Sequence, residues 1–179
     1  MANLRPVKRI SICLLALLPL AGGLVSCSNQ VKARRPVSYH YVPGRTALLR
    51  DGLAYAPPEA PAVVWRAIVA GNRLQNKPYK WGGGHANHDD TGYDCSGTVS
   101  YVLGEAGLIS GAVPSKGFFG YGDKGEGKWI TVYTSNGHAF ITIAGLRLDT
   151  GGPGGRHGPR WRTETRKASG YVMRHPPGL

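Results

Sequence analysis

Gly92-Tyr93-Asp94-Cys95-Ser96-Gly97-Thr98-Val99-Ser100-Tyr101-Val102-Leu103-Gly104-Glu105-Ala106-Gly107-Leu108 is the stretch on which the reading of the fold turns. Val99, Val102, Leu103 and Ala106 recur at helical spacing. Gly107 stands where a helix C-cap is expected, and Asp94 stands where an N-cap is expected. A cysteine therefore opens a helix. The positive end of the helix dipole favours a thiolate there over a thiol, and this shift is what a nucleophilic cysteine needs.

Working outward, residues 60 to 75 predict an earlier helix, with Val64, Trp65, Ala67 and Ile68 forming an apolar stripe behind Pro57, Pro58 and Pro61. Before it, Arg50-Asp51-Gly52 predicts the turn of a short ribbon between residues 46–49 and 53–55. Downstream the period changes to two, in Lys128-Trp-Ile-Thr-Val-Tyr133, Gly137-His-Ala-Phe-Ile-Thr-Ile143 and Leu146-Arg-Leu-Asp149, with Gly145 at a turn. Helices first and an antiparallel sheet afterwards make an α+β fold, with N-terminal helices, the cysteine at a helix N-terminus and the sheet packed against it. Residues 151 to 179 predict a loop and one last strand around Gly170-Tyr-Val-Met-Arg174.

The N-terminus sets the compartment. Arg5, Lys8 and Arg9 precede an apolar run from Ile10 to Val25, which has the form of a secretory signal and is short for a spanning helix, which needs roughly 20 residues. Leu24-Val25-Ser26-Cys27 resembles the lipobox of bacterial lipoproteins, in which the cysteine is lipidated and becomes the mature N-terminus. That resemblance implies export and a lipid anchor on the cell envelope. In that pattern Ser28 after the cysteine points to the periplasmic face of the outer membrane if the source is Gram-negative. The division expected is 1–26 as signal, 27–58 as tether and short ribbon, and 59–179 as the catalytic domain.

The chain carries 22 Lys+Arg against 10 Asp+Glu, a formal +12. Without Arg5, Lys8 and Arg9, 19 basic residues stand against 10 acidic ones, or +9. These charges are scattered, with no basic helix or zinc-ligand spacing, so nucleic acid is not an expected partner. Cys13 would leave with the signal and Cys27 would carry lipid, so Cys95 is the one thiol expected in the exported domain. A lone thiol in an oxidising compartment is either buried and inert or kept for chemistry.

Two glycine patterns are decoys. Gly120-Tyr-Gly122-Asp-Lys-Gly125 fits G-x-G-x-x-G, and residues 122 to 128 nearly fit a Walker A loop. A phosphate loop opens a helix, whereas Trp129-Ile-Thr-Val-Tyr-Thr134 has strand character, so a flexible surface loop is expected there. His85-Ala-Asn-His88-Asp89-Asp90 matches no common zinc spacing and predicts a solvated rim near the site. No metal and no cofactor are expected.

Pro78-Tyr79-Lys-Trp81-Gly82-Gly83-Gly84, then Gly92-Tyr93-Asp94-Cys95-Ser96-Gly97, then Gly137-His138-Ala-Phe-Ile141, in this order, resemble the NlpC family of papain-like cysteine peptidases over about residues 60 to 150. The resemblance implies a papain-like fold and a cell-wall endopeptidase acting on peptidoglycan stem peptides, at the bond between γ-D-glutamate and the next diamino acid; a monomer is expected. Cys95 is then the nucleophile and His138 the base. The family's third group is usually His, Asn, Gln or Glu about a dozen residues after the base; here the nearest polar candidate is Asp149, eleven residues on. Tyr79 matches a family tyrosine whose hydroxyl reaches the site and, with the Cys95 amide, would form an oxyanion hole. Ser96 lies in the family's Asp-Cys-Ser-Gly and is assigned to substrate contact, while Trp81 is expected to pack. The alternatives are a papain-like amidase or acyltransferase on another amide or lipid, and a non-catalytic wall-binding lipoprotein.

Overall fold

The computed structural model describes Met1, residues 30–152 and residues 155–179. The signal segment and Cys27 lie outside the described residues. No described helix is long and apolar enough to cross a membrane.

A two-stranded ribbon comes first, β1 (Leu48–Arg50) paired with β2 (Leu53–Tyr55). Asp51 and Gly52, both at positive φ (51° and 79°), make its turn, the conformation that Asp-Gly adopts readily between antiparallel strands. Helix α1 (Ala62–Arg73) follows and buries Val64, Ala67, Ile68, Ala70 and Gly71. Asn72 holds the ribbon against it, its side chain bonding both the amide and the carbonyl of Ala54 at 2.9 Å.

Helix α2 (Cys95–Glu105) is buried from Cys95 to Leu103. A helix enclosed on all sides must satisfy its hydroxyls internally, and it does. Thr98 donates to the Asp94 carbonyl at 2.7 Å, and Ser100 both donates to the Val113 carbonyl and accepts from its amide. Gly107, at φ 77°, ends the helix, with the Leu108 amide returning to the Leu103 carbonyl at 2.8 Å.

A 3-10 helix (Ser115–Gly120) leads into a six-stranded antiparallel sheet made of β3 (Asp123–Lys124), β4 (Ile130–Thr134), β5 (Ala139–Ile143), β6 (Leu146–Gly152), β7 (Gly155–Arg162) and β8 (Val172–His175). The spatial order is β3-β8-β4-β5-β6-β7. The main core joins Val64 and Ile68 of α1, Val99, Val102 and Leu103 of α2, and Ile130, Val132, Ile141, Ile143, Leu146 and Leu148 of the sheet. The intervening residues Tyr133 and Phe140 form a second cluster with Ala33 and Ala168, as strand alternation requires.

Three sequence expectations change. The segment from 151 onward holds a full strand, β7, paired with β6; its glycines and prolines masked the alternation. The stretch 120–128 is more than a surface loop, because the 3-10 helix and β3 occupy part of it and β3 pairs with β8. Residues 31–37 of the expected tether lie along the sheet domain: Ala33 is 5% exposed, its amide bonds the Tyr171 carbonyl at 2.7 Å, and Val37 exchanges both backbone bonds with Arg166 at 2.8 Å.

Candidate active site

Asp94 caps α2 by accepting the Gly97 amide at 2.7 Å, and its other oxygen accepts the Gly82 amide at 3.1 Å. One carboxylate thus fixes the helix start and the loop of residues 80–84 together. That loop is pressed against the helix closely enough that a Cβ on Gly97 would come within 2.0 Å of the Gly83 carbonyl. Two motif glycines are therefore contact residues, required by the space available and independent of the chemistry.

Cys95 is the first residue of α2 and is 9% exposed. Burial pushes its thiol up, but hydrogen bonds from His138, the Ala139 amide and Ser115, with the His138 charge, outweigh burial and hold it below its ordinary value. Ser115, the first residue of the 3-10 helix, places Oγ 3.6 Å from Sγ. Its own carbonyl is bonded by Thr134 Oγ1 of β4 at 2.5 Å.

His138 immediately precedes β5 instead of lying within a strand. Its Nε2 donates to Asp149 Oδ1 at 2.8 Å, which leaves Nδ1 for the thiol. Burial pulls the imidazole down; the bonds to Asp149 and Cys95 win, and it is pushed up to about 9. Asp149 is 1% exposed, and although burial raises its carboxyl, His138, the Gly151 amide and Arg166 hold it below the usual carboxylate range. These directions favour a thiolate beside an imidazolium, steadied by a carboxylate.

The register explains the contact. Ile141 faces Leu148 and Ile143 faces Leu146, so Asp149 reaches His138 on the diagonal and not from directly opposite. Gly151 fills the gap: its amide donates to Asp149 Oδ1 at 2.8 Å, and a Cβ there would sit 3.5 Å from His138 Nε2.

The structure therefore joins Cys95, His138 and Asp149. Tyr79 is half-buried, and its backbone is bridged to Tyr93 next to the Asp94 cap of α2. Ser96 is 5% exposed, and its hydroxyl is engaged with Asp94 Oδ1 at 3.2 Å and His85 Nε2 at 3.1 Å, an arrangement that braces the cap. Trp81, expected to pack, is 80% exposed at the tip of its turn.

The expected solvated rim is a braced loop. Asp90 accepts Lys80 Nζ at 2.6 Å and the Gly84 amide at 3.2 Å, while His88 pairs with Glu105 at 2.8 Å and stacks on Tyr101. Among the described residues no three His, Cys, Asp or Glu side chains group to hold a metal ion. Sequence reasoning missed Ser115, Arg147 and Arg166. Arg147 sits two residues before Asp149, on the same face of β6, and that spacing was its available signal.

Fold and site together define an α+β protein with a Cys-His-Asp constellation at a helix N-terminus, its cysteine and aspartate buried and its histidine half-buried. Three solved structures are similar to the chain: forms of the resuscitation promoting factor interacting protein RipA mutated at a cysteine, a glutamate and a histidine. Their identities are 23, 24 and 20%, with TM-scores of 0.47, 0.47 and 0.45. The matches cover 73, 72 and 73% of this chain and 72, 71 and 73% of theirs. No protein-family model matches the chain, and no curated protein does.

Proposed function

We propose that the protein is a cysteine hydrolase of peptidoglycan stem peptides, cleaving between γ-D-glutamate and the following diamino acid. The observation that carries the hydrolase reading is the pairing of a low-lying Cys95 thiol with an imidazole raised to about 9 and bonded to Asp149 at 2.8 Å. The choice of bond rests on the sequence resemblance.

In this reading the Cys95 thiolate attacks the scissile carbonyl. The Cys95 amide, one of the first-turn donors a helix leaves without an intrahelical partner, meets the developing oxyanion together with the Tyr79 hydroxyl. The His138 imidazolium then gives its proton to the leaving amine as the C–N bond breaks, and the acyl group stays on sulfur. Neutral His138 next removes a proton from water, which attacks the thioester; the acid leaves, and the thiolate–imidazolium pair is restored. Asp149 keeps the ring turned towards sulfur and stabilises its charge.

The proposal includes export, lipidation at Cys27 and work as a monomer on the envelope face. Incubating the purified chain with defined muropeptides and weighing the products by mass spectrometry tests the reaction. New fragments split after γ-D-glutamate, absent with Cys95→Ala, are expected. Intact muropeptides with the wild type, or equal cleavage by both proteins, refute it.

A further inference from the structure

The carboxylate behind His138 is held by more charge than one ion pair requires. Asp149 divides its oxygens. Oδ1 takes His138 Nε2 and the Gly151 amide, both at 2.8 Å, and Oδ2 takes Arg147, whose NH1 donates at 2.7 Å. Arg166 adds a charge contact, with Nε 3.4 Å from the same Oδ2. Both guanidiniums are held in place from behind. The Arg147 side chain is 3% exposed, and its NH2 donates to the Glu164 carbonyl at 3.0 Å. Arg166 lies over the rings of Phe140 and Tyr171, at 5.5 and 5.9 Å, and donates to the Tyr171 hydroxyl at 3.2 Å. Its backbone is fixed by Val37.

A lone buried carboxylate against an imidazole would have two faults. It could swing away, since nothing would hold Oδ2. It would also bind the imidazolium proton too tightly for easy release to a leaving amine, because unscreened charges attract strongly where water is excluded. The two arginines answer both. We infer that Arg147 and Arg166 are positioning residues of the active site, clamping Oδ2 so that Oδ1 faces His138 and offsetting the carboxylate's pull on the ring. This rests on the cysteine-hydrolase reading and extends it to residues that never touch substrate.

His138 faces the Cys95 sulfur and Asp149, with Phe140 and Tyr171 as aromatic neighbours. Arg147 feels Asp149, Arg166 and Arg162, and its NH2 lies 3.9 Å from the Glu164 carboxylate. The Gly151 amide still holds Oδ1 beside the ring at 2.8 Å when either arginine is removed, so losing a positive charge makes a proton on His138 easier to hold, and the sign is upward.

The test is an NMR titration of the His138 ring in the free protein, which needs no substrate. Arg147→Met is expected to raise the His138 midpoint by about 1 unit above that of the wild type. Arg166→Gln, at a half-buried site, should raise it by less, and Arg147→Lys should restore the wild-type midpoint. A loss of activity with the midpoint unmoved, or a midpoint that falls, overturns the inference and leaves both arginines as structural supports. If Arg147→Met does not fold, Arg166→Gln decides alone by the same criterion. A wild-type His138 titrating near its ordinary value defeats the ion-pair reading of the site itself, and that outcome is separate from a failure of the arginines.

Discussion

Replacing Asp149 by Asn keeps the shape of the side chain and removes its charge. His138 is held up to about 9 by Asp149 and Cys95 acting against burial, and the Asp149 bond is the largest of the raising causes. Its loss should return the ring to about 7, near the ordinary histidine value of about 6.5. At pH 8.5 the wild type then keeps about three quarters of His138 protonated and the variant about 3%, a difference of about 25-fold. At pH 6 both remain above about 90% protonated, so the charge-state loss nearly vanishes there. What persists at every pH is the loss of ring orientation, on the order of 10-fold.

The assay is kcat on a muropeptide from pH 6 to 9, alongside the NMR titration of His138. Because the change leaves Arg147 buried without its carboxylate, it should also destabilise the fold, on the order of 3 kcal/mol. A denaturant melt must therefore confirm that the variant is folded at the assay temperature. A deficit of equal size at pH 6 and pH 8.5, or a His138 that still titrates near 9, refutes the role given to Asp149.

Cys95→Ala should abolish hydrolysis while leaving the thermal midpoint within a few degrees, checked by product analysis and calorimetry. Gly97→Ala should destabilise by about 3 kcal/mol or more, since the added methyl falls 2.0 Å from the Gly83 carbonyl; a denaturant midpoint equal to wild type contradicts the close packing. His138 has a folded value raised above its unfolded one, so its contribution to stability is complete below about pH 6.5 and is lost as pH rises through about 9, which melts at pH 6.5 and 10 can compare in the wild type and His138→Gln. Cys27→Ala should move the protein from the membrane fraction to the soluble one, and an N-terminal peptide without lipid mass in the wild type removes the anchor from the proposal.

Helix α2 was legible because its signals are local. Asp94, the apolar positions from Val99 to Ala106, and Gly107 lie within one stretch, and each acts on its immediate neighbours. His138 and Asp149 were legible as candidates because a turn of two residues brings their strands together. Their diagonal contact was not, since it depends on the β5/β6 register and on Gly151. Ser115 is brought to the sulfur by Thr134 from another part of the chain, and Arg166 by Val37, so neither carries a nearby mark. Strand β7 was hidden by glycines and prolines that weaken alternation, and Trp81 was misjudged because an indole in a motif suggests packing when its turn projects it outward.

With the lipid proposed on Cys27, the docked segment of residues 31–37 would also set how far the protein can travel. Gln30 is already engaged, its side chain accepting from Arg174 at 3.2 Å. A lipid on Cys27 would therefore leave three peptide steps between anchor and folded body, about 10 Å at full extension. Such a leash is far shorter than the body it holds. Lipidated in this way, the proposed hydrolase would not sweep through the envelope but crop the layer within its own radius of the bilayer, with its turnover on wall material set by how that material is delivered to it. Lengthening the chain between residues 28 and 30 with a flexible spacer would then widen the zone of cutting while leaving the rate on soluble muropeptides unchanged.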